Sequence, residues 1–257
     1  MPILEVENIS LQFGGVKALN DVSYHVEKGE IFSLIGPNGA GKTSMLNCIS
    51  GLYKPSTGSI KFNGQDILNM KPYNRTSLGI ARAFQNIALF AQMSVLDNLK
   101  LGRHVRMKSG LFSGGMYWGG AEKEEVAHRH SVEEVIEFLE MQDIRHTPVG
   151  TLPYGLQKRV EVGRALALEP ELILLDEPMA GMNNAEKEDM ARFILDMHEL
   201  NGITVFLIEH DMGVIMDLSD HIAVLDFGKR IGFGTPQEIQ NNPEVIRAYL
   251  GEQEEVS

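Results

Sequence analysis

At 257 residues with 43% hydrophobic composition, the chain is long enough to bury a substantial core in one large domain or two unequal lobes. A net charge of −12 argues against wholesale binding of nucleic acid or anionic lipid, so any membrane contact is expected through a protein partner. Cys48, the single cysteine, excludes an intramolecular disulfide framework and a multi-cysteine metal site.

In chain order, Leu4 to Val26 alternates polar and apolar residues around Gly14-Gly15, which predicts antiparallel strands. Ile31 to Ile35 is a short apolar run leading through a Gly-rich turn into a helix from about Lys42 to Ser50, with Cys48 expected in a helix core. Such a run reads as a buried strand of a parallel sheet. The middle, from about Asn86 to Arg164, has Val132, Val135, Ile136 and Leu139 at helical spacing and reads as a helical lobe. Within it, Ser109 to Gly120 (SGLFSGGMYWGG) reads as a mobile surface loop, with a partner-contacting insertion as the alternative. Leu172 to Leu175 and Ile203 to Ile208 are two more buried strands. Between them, Ala185 to Leu200 carries Met190, Ile194 and Met197 as the apolar stripe of a crossover helix. Thr235-Pro236 and Asn242-Pro243 each mark a helix start in a small C-terminal appendage, and Glu252 to Glu255 is an acidic tail. These readings give an α/β fold class. No apolar run approaches the roughly 18 residues needed to cross a bilayer. MPILEVENIS lacks a signal-peptide pattern, and a cytosolic chain is expected.

The strongest chemical signal is GPNGAGKT, Gly36, Pro37, Asn38, Gly39, Ala40, Gly41, Lys42 and Thr43, between a predicted strand and helix and followed by Ser44. Glycines let successive backbone N–H groups face a phosphate chain, and the helix start adds its positive dipole end. Lys42 can reach β- and γ-phosphates, and the Thr43 hydroxyl can ligate Mg²⁺. Asp176 closes a buried strand and should emerge at the sheet edge where α/β folds bind ligands, there to hold Mg²⁺. Glu177 follows as a candidate base for the attacking water; an exposed strand-end acid is the blander alternative. His210, just after the third strand, reaches the same edge, for a γ-phosphate contact or a structural role. His25, His104, His128, His130, His146, His198 and His221 have no such placement.

The order of phosphate loop, later Gln, Gly-containing signature, Asp-Glu pair and His resembles an ABC-type ATPase over nearly the whole chain. The resemblance implies a RecA-like P-loop NTPase core with a parallel sheet, an antiparallel β subdomain and an inserted α-helical subdomain. It divides the chain into a nucleotide-binding core (1–85 and 165–235), a helical signature subdomain (86–164) and a C-terminal appendage (236–257). Gln85, in ARAFQN, matches the Q-loop, which implies Mg²⁺ and water contacts and a link to the membrane subunit. Phe13 is placed like the aromatic that stacks on adenine, with a core phenylalanine as the alternative. LPYGLQ, Leu152 to Gln157, stands where the family has its signature, so Gly155 is implied to meet ATP held by an opposite subunit. Pro153 and Tyr154 replace the usual serine and first glycine, and Asn183 the usual aspartate of the following loop.

LPYGLQKRVEVGRAL, EPMAGMN, LIEHDM and GTPQEIQNNPEVIRAYLGE are similar to Liv-type ATPases of branched-chain amino-acid importers. That implies ATP and Mg²⁺ as cofactors and a second ATPase subunit, identical or paralogous. It also implies integral-membrane permease partners, indirectly a solute-binding protein, no nucleic acid, and a peripheral position on the cytoplasmic face of the inner membrane. Alternatives are an ABC ATPase for another solute such as urea, an exporter, a soluble non-transport ABC protein, or a P-loop kinase. The last is disfavoured by Asp176-Glu177 and the signature region.

Overall fold

The computed structural model describes residues 1–83, 89–103 and 120–255, with backbone alone at 120–125 and 250–255. The expectations for Gln85 and His104, and for Ser109 to Gly120 apart from the backbone of Gly120, lie outside the described residues.

Alternating burial along Pro2–Phe13 (β1) and Val16–Glu27 (β2) makes an antiparallel hairpin in which Phe13 faces Val16 beside Gly14-Gly15. Thr57–Phe62 (β4) and Gln65–Asp66 (β5) extend it to a four-stranded sheet of order β2-β1-β4-β5. The second sheet holds Ile31–Ile35 (β3), Ile80–Ala83 (β6), Leu172–Asp176 (β7), Thr204–Ile208 (β8), His221–Asp226 (β9) and Lys229–Gly234 (β10), in the order β10-β9-β3-β8-β7-β6. Every residue of β3, β7 and β8 is buried, as a parallel sheet covered on both faces requires. β9, β3, β8, β7 and β6 run parallel, and β10 closes the edge antiparallel to β9. Parallel strands end on the same side, so the segments after β3, β7 and β8 meet at one sheet edge.

Helix Lys42–Ser50 (α1) lies between the two sheets, where Met45, Leu46, Cys48 and Ile49 join Leu4, Val6, Phe32, Leu34, Leu174 and Phe206 in one core cluster. Burial pushes the Cys48 thiol up to about 12, so it is a packing residue. Pro72–Ser77 (α2) precedes β6, and its Arg75, fully buried, donates to the carbonyls of Cys48 and Ile49 at the end of α1. On the other face of the large sheet, Val95–Arg103 (α3), Gly120–Phe138 (α4), Tyr154–Leu166 (α5) and Asn184–Glu199 (α6) share a second core. Val132, Ile136 and Leu139 are buried there, with Val135 packed against them, and Met190, Ile194 and Met197 are buried along α6.

Met212–Leu218 (α7) follows β8. Thr235 and Glu238 form a reciprocal capping box that starts Pro236–Gln240 (α8), and the Asn242 carboxamide oxygen accepts from Glu244 N–H at the start of Pro243–Glu255 (α9). Ile239 and Val245 anchor both helices against Ile35, Ile215, Ile222 and Val224. Among the described residues, no helix is long and apolar enough to cross a membrane.

Candidate active site

The loop from Gly36 to Gly41 joins β3 to α1, and three of its glycines have positive φ: 148° at Gly36, 79° at Gly39 and 106° at Gly41. Two are also sealed by neighbouring backbone. A methyl group on Gly36 would run into the carbonyl of Leu225, and one on Gly41 would stand 2.5 Å from the carbonyl of Ala18. Only glycine satisfies both the dihedral and the space. Lys42 begins α1 and is nearly buried; its ammonium donates back to the carbonyls of Gly36 at 2.5 Å and Pro37 at 3.1 Å. Asn38, Gly39 and Thr43 are exposed, Pro37 and Ser44 are half-buried and Ala40 is buried, with its carbonyl accepting from Gly228 N–H. The result is a concave backbone turn at a helix start that suits an anion.

The two later strands bring carboxylates and histidine to the same edge. Asp176 ends β7 opposite Ile208 of β8, with a fully buried side chain. Its Oδ2 pairs with Arg82 of β6 at 3.1 Å, while its Oδ1 has no hydrogen-bond partner among the described residues. Burial pushes this carboxyl above its usual range, opposed chiefly by Arg82. Arg82 also donates to Asn47 and Ser50 of α1, tying the phosphate-loop helix to Asp176. Glu177 takes φ +52°, a conformation that a residue with a Cβ holds only under local constraint, and its N–H donates to Ile208 O at 2.9 Å. Its Oε1 lies 2.8 Å from Nε2 of His210.

Phe13 is 48% exposed and meets Tyr53 edge to face at 5.1 Å, so it is a surface aromatic and not a core phenylalanine. At the start of α5, Pro153 is the N-cap and Tyr154 is exposed. Gly155 is buried, with the Glu186 carboxylate occupying the space of its missing side chain. Glu186 is also the partner of Asn183 in the capping box that begins α6.

The ABC transporter family profile matches residues 19–180. The chain belongs to that family. A second profile, branched-chain amino acid ATP-binding cassette transporter, matches residues 229–255 of this ABC cassette. It is 38% identical over 251 residues, 98% of both chains, to the high-affinity branched-chain amino acid transport ATP-binding protein BraF of Pseudomonas aeruginosa. It is equally similar, over the same shares, to LivG of Escherichia coli K12, named for the same transport. A nucleotide-free ATP-binding cassette from an ABC transporter superposes with a TM-score of 0.84 at 35% identity, covering 97% of this chain and 99% of that one. The ADP conformation of such a cassette gives the same score and identity, covering 98% and 99%.

For an ABC cassette, the donor set here fits a hard divalent cation. A buried carboxylate oxygen of Asp176 lacks a donor among the described residues, and the exposed Thr43 hydroxyl sits on the helix that Arg82 ties to that carboxylate. The phosphate loop, Asp176, Glu177 and His210 thus meet at one edge. Sequence reading missed Arg82, because β6 reads IARA and carries no apolar run, and Glu209, because it is masked between strand and His210.

Proposed function

We propose that this chain is the ATP-hydrolysing subunit of an importer for branched-chain amino acids, acting as one of two cassettes in a dimer and attached to the cytoplasmic face of the membrane through permease subunits. The hydrolytic reading is carried by the 2.8 Å contact between Glu177 and His210 beside a glycine cradle. Import of branched-chain amino acids is supported by relatives named for that transport and by the match at residues 229–255.

Lys42 exchanges the carbonyls of Gly36 and Pro37 for β- and γ-phosphate oxygens, while the loop from Gly36 to Thr43, with Ser44, wraps the phosphates with N–H groups. Phe13 offers an exposed ring face to adenine. Thr43, Asp176 and, by motif, Gln85 would hold Mg²⁺, which when bound neutralises charge on the phosphate oxygens. Glu177 orients a water and takes its proton as the water oxygen bonds to the γ-phosphorus and the bridge to the β-phosphate breaks. His210 holds the Glu177 carboxylate in place and reaches toward the γ-phosphate. The first turn of α5, with Gly155, faces the nucleotide of the second cassette, identical or paralogous, because a helix start leaves N–H groups for an anion. The division into a core (1–85 and 165–235), a signature segment (86–164) and an appendage (236–257) belongs to the same reading, and a solute-binding protein acts through the permeases.

The test is co-purification from native membranes in detergent, followed by ATP-driven leucine uptake in reconstituted vesicles. Recovery with permeases, a second ATPase and leucine uptake is expected. Permeases without leucine uptake would discard the substrate, and purely soluble partners would discard the transport reading.

A further inference from the structure

Glu209 lies between the last residue of β8 and His210, and its side chain turns inward while that of His210 turns out. The Glu209 residue is 5% exposed, against 47% for the His210 side chain. Its Oε1 accepts from the N–H of Met179 at 2.8 Å, and its Oε2 from the N–H of His210 at 3.2 Å. One buried carboxylate thus joins the backbone two residues beyond Glu177 to the backbone of His210 itself. The same two loops are also joined by the hydrogen bond from Glu177 N–H to Ile208 O and by the side-chain contact between Glu177 and His210.

Burying a carboxylate is costly, and burial pushes this one above its usual range, so an apolar residue would fill the position with less desolvation. The carboxylate supplies what no apolar side chain does: two acceptors on opposite sides, at fixed separation, for two backbone donors. The Glu177 backbone is also held at φ +52°, and a strained backbone persists only where its surroundings over-determine it. The contact between Glu177 and His210 runs side chain to side chain and is open to solvent on the His210 side, hence deformable; the Glu209 ties are buried and end on backbone.

We propose that Glu209 is a positioning residue that clamps the loop after β7 to the loop after β8 and so sets the spacing of Glu177 and His210 for hydrolysis. Without it, the loops lose their buried carboxylate tie and the side-chain contact lengthens. The inference rests on the reading of Glu177 and His210 as hydrolytic residues.

The experiment is a double-mutant cycle in the full chain, following kcat and KM for ATP with melting temperature as a fold check. In Glu209→Gln, the amide accepts one N–H and sets its own NH₂ against the other. Its kcat should fall by about ten- to a hundredfold with KM for ATP changed less than about twofold, the pattern of misplaced groups with intact binding. In a His210→Ala background the same substitution should lower kcat by less than about twofold, because the contact it positions is already gone. An equal fall in both backgrounds, or a rise in KM that accounts for the loss, would overturn the clamp. Should Glu209→Gln not fold, Glu209→Asp, one methylene too short to reach both donors, serves the same cycle. If His210→Ala alone leaves kcat unchanged, the hydrolytic reading fails instead, and the two failures are told apart.

Discussion

The phosphate loop and the first turn of α5 are both glycine-bearing helix starts, yet they are built in opposite ways. In the loop, Gly36, Gly39 and Gly41 all hold positive φ, and the carbonyls of Leu225 and Ala18 close over two of them. Its glycines exist for backbone shape, and the cradle is complete within one chain. At α5, Pro153 leads into ordinary helical geometry and Gly155 is needed because the carboxylate of Glu186 occupies its side-chain space. That glycine serves packing against α6, and Tyr154 in front of it stands exposed beside Gly181. In the proposed dimer, the cradle of one cassette would face the α5 helix start of the other across the nucleotide.

The largest effect is expected at the cradle. Lys42→Ala removes the ammonium that would hold the phosphates and should weaken ATP binding by about 100-fold or more, the worth of two charge-assisted hydrogen bonds. Titration with a fluorescent ATP analogue measures it, and intact affinity would show that Lys42 does not hold the phosphates. Gly155→Ala is smaller and different in kind. The added methyl must displace Glu186, so the capping box of α6 opens at a cost of about 1–2 kcal/mol. Thermal melting should drop while ATP binding by the single chain stays constant; the reverse result would place Gly155 in its own chain's site. Asp211, the N-cap of α7, gives the smallest effect. Its carboxylate accepts from Lys187 and from Gly213 and Val214 N–H, which hold it below the usual carboxylate range. A lowered folded value means stability present above the unfolded value and lost as pH falls through the folded one. Asp211→Ala should therefore cost about 1 kcal/mol at neutral pH, a difference that fades in acid. A pH-independent difference in melting would show that the charge contributes nothing.

Much of this was legible in the sequence, for identifiable reasons. β3, β7 and β8 stand out because a parallel strand buried on both faces must be an apolar run, and the phosphate loop because its glycines are fixed by dihedral angle. α4 and α6 show because each buries a single stripe. β6 was hidden because Arg82 interrupts four residues, and its partners Asn47, Ser50 and Asp176 are far away in sequence. Glu209 was hidden for a related reason: its value lies in two backbone donors, one of them 30 residues away. Glu177 holds a positive φ and donates to Ile208, another long-range contact that local pattern does not carry.

In the proposed mechanism Glu177, beside His210, drives hydrolysis at a site that binds ATP without it. The most direct measurement is ATP affinity and turnover in Glu177→Gln, which keeps the side chain's shape and removes its basicity. Affinity within about threefold of the original chain, with kcat lower by about 10²–10⁴ and a more stable ATP-bound dimer, is the predicted result. Unchanged hydrolysis in that variant would remove Glu177 from the chemistry.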